Sequence, residues 1–161
     1  MLAIGKERPI EDVISEHLTN ENVKKAFLRY IEWLRANEMS PTYAYFEGQS
    51  PFWEVEHNGK KHFIVWDGKE TVSVMIQAIF SDEYQAIIQE CNLQNIILDN
   101  LQQCSRTGGE HCNNCQLAPD VLGVDKIIFG KEVKNLCCGE YITFENPNAE
   151  AFEAIKKLLE L

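Results

Sequence analysis

Two dipeptides that favour left-handed backbone, Asn58-Gly59 and Asp67-Gly68, each stand between runs of alternating apolar and polar residues. No other feature constrains the chain as tightly, because a two-residue type I′ turn needs positive φ at its central positions and sends the strand back antiparallel to itself. Strands are expected at Phe52 to His57, Lys61 to Trp66 and Glu70 to Gln77. In the first, Trp53 and Val55 share a face; in the last, Val72, Val74 and Ile76 alternate with Thr71, Ser73 and Met75. A further strand, Thr42 to Glu47, reaches them through a turn at Gly48 to Pro51, so an antiparallel meander fills residues 42–77.

On either side the period is helical. Pro9 suits a first helical turn, and Ile10, Val13, Ile14, His17 and Leu18 follow at helical spacing, which makes His17 a partly buried core histidine. Thr19 or Asn20 can cap a second helix with the face Val23, Phe27, Tyr30, Ile31 and Leu34, closed by Ser40-Pro41. Ser81 caps a third, with the stripe Tyr84, Ile87, Ile88 and Cys91; the next stripe, Leu93, Ile96, Ile97, Leu101 and Cys104, is out of phase with it, so a break is expected near Asn92 and Cys104 at a helix end. Lys126 to Phe129 and Glu132 to Leu136 read as a hairpin turning at Gly130-Lys131, and Tyr141 to Phe144 as another strand. Phe152, Ile155, Leu158 and Leu159 form the stripe of a closing helix. The fold class is therefore α+β: an antiparallel meander of about five to six strands covered by helices. At 161 residues it is expected as one domain, able to bury a core without disulfides.

Five of the six cysteines fall between Cys104 and Cys138. Cys112 and Cys115, two residues apart, can aim both sulfurs at one ion, and Asn113-Asn114 tolerate the backbone angles such a turn needs. Cys104 and Cys137 would supply the other corners of a tetrahedron, and zinc suits four thiolates. Between Cys104 and Val121 there are few large apolar residues but two glycines, two asparagines and a proline, so the loop has little burial to offset its ordering entropy. A metal staple would supply what a core does not. His111 is a substitute ligand, and Cys138 could take the place of Cys137. An iron–sulfur cluster on the same thiolates, a dithiol at Cys112 and Cys115, and unligated thiols are the competing readings.

The run FGKEVKNLC (residues 129–137), then ITFENP (142–147) and a final amphipathic helix, preceded by a cysteine-bearing loop, resembles the tail of small uncharacterised bacterial α+β domain families. The resemblance implies a domain fold and Cys137 as the fourth ligand; it brings no activity with it.

The formal charge of −10 argues against a general nucleic-acid binder, which needs a basic surface to neutralise phosphates. Neither a signal peptide nor a run of apolar residues long enough for a membrane span stands in the chain, so a cytoplasmic location with reduced thiols is expected. No phosphate-binding glycine loop, nucleophile elbow or His-Glu-x-x-His motif is present. His57 and His62 flank the Asn58-Gly59 turn as exposed cross-strand residues would. The sequence thus points to a non-catalytic binding or regulatory domain with a structural zinc, the alternatives being a redox or iron–sulfur protein and a binder of a small apolar ligand. Of the strand aromatics Tyr43, Tyr45, Phe46, Phe52, Trp53, Phe63 and Trp66, some are needed as core on the helix-covered face, the favoured role, and those on the opposite face could line the ligand pocket.

Overall fold

The structure, a computed structural model, describes residues 8–44, 50–67, 70–104, 123–137 and 139–161. It is α+β, with helices α1 (Ile10–His17), α2 (Glu21–Ala36), α3 (Asp82–Glu90), α4 (Gln94–Asp99) and α5 (Ala149–Glu160). Its strands are β1 (Thr42–Ala44), β2 (Phe52–His57), β3 (Lys60–Trp66), β4 (Val72–Gln77), β5 (Val124–Ile128), β6 (Lys131–Leu136) and β7 (Tyr141–Glu145). Among the described residues, no helix is long and apolar enough to cross a membrane.

The expected meander is there, but it stops at four strands. One antiparallel sheet has the order β1-β2-β3-β4-β7, so its fifth strand arrives after a long excursion of the chain, while β5 and β6 pair with each other. Asn58 and Gly59 have φ of 50° and 74°, as a type I′ turn requires, and fix the register Val55↔His62 and Trp53↔Ile64. The turn of the second hairpin lies one residue earlier than expected, at Phe129-Gly130, with φ of 50° and 74°. Phenylalanine does not favour that region; its N–H is held by Gln85 Oε1 at 2.6 Å.

Chain contacts divide the protein into two compact units, Met1–Ile76 with Phe144–Leu161, and Gln77–Thr143. In the first, α2 begins where Asn20 Oδ1 accepts from the N–H groups of Asn22 and Val23, and its whole predicted face, Val23, Phe27, Tyr30, Ile31 and Leu34, is buried. It closes before Ser40-Pro41. Glu38 takes a φ of 61°, its N–H reaches Arg35 O, and the Met39 N–H reaches Leu34 O at 2.8 Å, a Schellman end sealed by the buried Met39. Trp53, Val55, Ile64, Trp66, Val72 and Val74 supply the buried sheet face, with Phe152, Ile155 and Leu158 of α5 also buried in this unit. His17, as expected, is half-buried and packs against Trp66, centroids 6.0 Å apart. On the other sheet face Phe52 and Phe63 are half-buried and meet edge to face at 5.9 Å.

In the second unit the break near Asn92 is a second Schellman end: Asn92 has a φ of 58°, and the N–H of the buried Leu93 bonds Ile88 O at 3.1 Å. The helical stripe expected to run on to Cys104 ends sooner. Asn100 Nδ2 caps the Ile96 carbonyl at 2.7 Å, and from Leu101 to Cys104 the chain then pairs with β7 and β6.

Candidate metal centre

Cys104 therefore lies on an extended segment and not at a helix end. Gln103 pairs antiparallel with Leu136, and two bonds bracket that pair, Cys104 N–H to Asn135 O at 2.7 Å and Cys137 N–H to Gln102 O at 2.8 Å. Successive side chains on a strand alternate between faces, so the residue after Gln103 and the residue after Leu136 share the face opposite those two. Cys104 and Cys137 are thus diagonal neighbours on one face, a relation that separates two residues by roughly 7–8 Å. Two thiolates on one zinc stand about 3.8 Å apart, from Zn–S bonds of about 2.3 Å and a tetrahedral angle. Adding a Cβ–S bond at each end brings the diagonal to the outer limit of what one ion can span. The pair fits zinc if both side chains lean inward.

Chain entry to the site is tight. A Cβ on Gly123 would come within 2.7 Å of Cys104 Cβ, of Leu136 O and of Asn135 Oδ1. Two of those three atoms are backbone or Cβ and cannot swing away. The Asn135 amide fastens the same corner, donating from Nδ2 to Cys104 O at 3.1 Å while its own N–H reaches Asp125 Oδ1 at 2.9 Å. Gly123→Ala is accordingly expected to destabilise the protein by about 1–3 kcal/mol, measurable as a lowered denaturation midpoint; an unchanged midpoint would show that this corner yields easily.

A third group anchors the far side of Cys137. The Glu140 N–H bonds Cys137 O at 2.8 Å, and the Glu140 carboxylate holds Lys126 Nζ at 2.6 Å and the Phe80 N–H at 2.9 Å. With side chains only 31% and 21% exposed, Lys126 and Glu140 form a half-buried pair that fixes β5 against the residues leading into α3. Nothing in the sequence marked Glu140, whose φ of 49° lies in the left-handed region.

Among the described residues no three His, Cys, Asp or Glu side chains gather where they could hold a metal. Of the four predicted ligands the described residues include two, Cys104 and Cys137, which flank the bridge between Gln103 and Leu136. Cys112 and Cys115, the substitute ligand His111 and the neighbour Cys138 lie outside the described residues. Cys91, at the end of α3, is half-buried and belongs to neither the pair nor the predicted set.

One titratable group is misplaced by a reading of the turn alone. His62 is in the core, 1% exposed, with Nε2 3.1 Å from the Tyr30 hydroxyl and Nδ1 without a hydrogen-bond partner. Burial, with a smaller contribution from His57, pushes its pKa down to about 4, and burial raises that of Tyr30. Alternation along β3 was the available signal: His62 shares its face with Ile64 and Trp66, both fully buried. Tyr30→Phe should lower stability by about 1–3 kcal/mol, because the imidazole loses its one partner in a dry site; equilibrium denaturation would reveal it, and no loss would mean that water reaches His62.

Comparison with protein-family models, with curated proteins and with solved structures finds no match to this chain. Function is therefore read from the residues themselves.

Proposed function

We propose that this is a non-catalytic binding or regulatory domain in which a structural zinc, held by Cys104, Cys112, Cys115 and Cys137, ties the loop that follows Cys104 to the strands beside it. The observation that carries this reading is the pairing of Gln103 with Leu136, which sets Cys104 and Cys137 diagonally on one face. Those two residues come from segments separated by more than thirty positions, and between them the chain supplies the Cys-x-x-Cys pair. Zinc is favoured over a redox dithiol because two further thiolates would be available to complete a tetrahedron. The proposal assumes a reducing compartment, where cysteines remain available as thiolates.

Metal analysis of the protein purified without oxygen tests it. One zinc per chain in a colourless protein is the expected result, with the content falling sharply in Cys112→Ser and the main sheet unaffected. A brown protein containing iron and sulfide would assign the same thiolates to a cluster. Metal-free protein with all six cysteines titrating as thiols would overturn the reading.

A further inference from the structure

Helices α2 and α5 lie side by side and run in the same direction. Phe152 packs on Phe27 and Tyr30 with ring centroids 5.0 and 4.6 Å apart, and one turn further along both helices Lys156 sits over the ring of Trp33 at 5.6 Å. Between them runs an open cleft of about 600 Å³, with Lys25 and Arg29 on the α2 wall, Lys156 on the α5 wall, and the cap residues Asn20 and Asn148 at one end.

The charges in this cleft are poorly matched by the protein itself. Lys24 is bridged by Glu21 and Lys156 by Glu153, each at 2.8 Å; Lys25 is also attracted by Glu21 one turn before it, but among the described residues neither Lys25 nor Arg29 closes a salt bridge. They stand at i and i+4, where like charges repel. The chain carries 25 acidic residues, yet among the described residues Glu153 is the one carboxylate lining the cleft. A cluster of cations only partly compensated by the protein's own carboxylates becomes more favourable once an external anion fills it.

The floor decides what kind of anion. Tyr30 and Phe152 are 0% and 2% exposed, so no apolar pocket is left to enclose the body of a small ligand, and Lys25 and Arg29 stand exposed at the rim. Such a cleft suits an occupant that brings its own cover and several spaced carboxylates. We propose that the α2–α5 cleft receives an acidic segment of a partner protein, its carboxylates meeting Lys25, Arg29 and Lys156. With charge as the main attraction, the contact is weak, fast and sensitive to salt.

The test uses the full chain and a fluorescent glutamate-rich dodecapeptide, followed by anisotropy. Wild-type protein should bind the peptide and not its glutamine counterpart, and binding should weaken as salt rises from about 50 to about 200 mM. Reversing two charges in the cleft, Lys25→Glu with Arg29→Glu, should weaken binding by about tenfold or more. The exposed pair Lys60→Glu with Lys131→Glu changes net charge equally and should leave binding intact. Absence of binding to the wild type, or equal weakening by both double variants, would overturn the proposal. So would displacement of the peptide by pyrophosphate at equal or lower concentration, which would make the cleft a small-anion site.

Discussion

Chelating the proposed zinc from the reduced protein is expected to release residues 102–104 from β6 and Cys137 while α2 and its neighbours keep their native protection. The readout is amide hydrogen exchange at two reporters, the Cys104 N–H bonded to Asn135 O and the Cys137 N–H bonded to Gln102 O. Each belongs to an isolated bridge and not to a continuous ladder, so little backbone pairing stands behind it. Structural zinc sites in small domains contribute about 10–16 kcal/mol of apparent binding free energy, far above what a single bridge supplies. Protection at both reporters should therefore fall by about 100-fold or more on chelation, and re-adding zinc should restore it. The Met39 N–H, which closes α2 on Leu34 O, serves as the control and should not change. Unaltered exchange at Cys104 and Cys137 would mean that the strand pairing, and no ion, holds the two cysteines on one face. Loss of protection at Met39 as well would mean that chelation unfolds the whole protein, and the local role assigned to the metal would be wrong.

How much of this was legible in the sequence depended on how local each cause was. The Asn58-Gly59 turn was legible because its residues meet the φ requirement unaided, and the Asn20 and Ser81 caps because a side-chain oxygen two or three residues away satisfies the first helical N–H groups. The Phe129-Gly130 turn was shifted by one residue because sequence preference favours glycine and disfavours phenylalanine at positive φ. A tertiary bond from Gln85 and the packing of Phe129 against Phe80, centroids 6.3 Å apart, reverse that preference. Leu93, Ile96, Ile97 and Leu101 keep helical spacing, which puts Cys104 at a helix end when the sequence alone is read. The segment leaves the helix at Asn100 because its backbone finds partners on β6 and β7, and pairing between distant segments leaves no periodic mark. The same holds for the fifth strand of the sheet, β7, whose position beside β4 nothing short-range announces. Of the candidate site, the cysteine spacing identified which residues to look for, and only the three-dimensional pairing related Cys104 to Cys137.

Acidification should destabilise the protein in a window set by His62. In the unfolded chain its imidazole titrates at its ordinary value near 6.5, but in the folded protein its pKa lies at about 4. Between those two values the unfolded state binds the extra proton, so stability must fall as pH falls. The contribution is fully present above pH 6.5, declines through the window and levels off below about pH 4. A difference of that size corresponds to roughly 3 kcal/mol, a large part of a small domain's total. Geometry supplies the cause. The neutral ring carries one donor and one acceptor, meets the Tyr30 hydroxyl through Nε2 and leaves one uncharged atom, Nδ1, unbonded. The cation would present two charged N–H donors to a site with one oxygen, and a buried, unbonded N–H of a charged ring costs far more. The groups facing it, Val55 on β2, Ile76 on β4 and the Tyr30 ring on α2, offer no negative charge, and His57 adds a repulsive one when protonated. Denaturant titrations at intervals from pH 7 to 4 measure the slope directly, since it appears in the midpoint if the denaturant dependence stays constant. His62→Gln removes the titrating group while keeping an oxygen able to accept from the Tyr30 hydroxyl, and should flatten the curve across this window even if it lowers the plateau. A wild-type curve that is already flat between pH 6.5 and 4, or a variant that keeps the full slope, would move the source of acid sensitivity away from this buried pair.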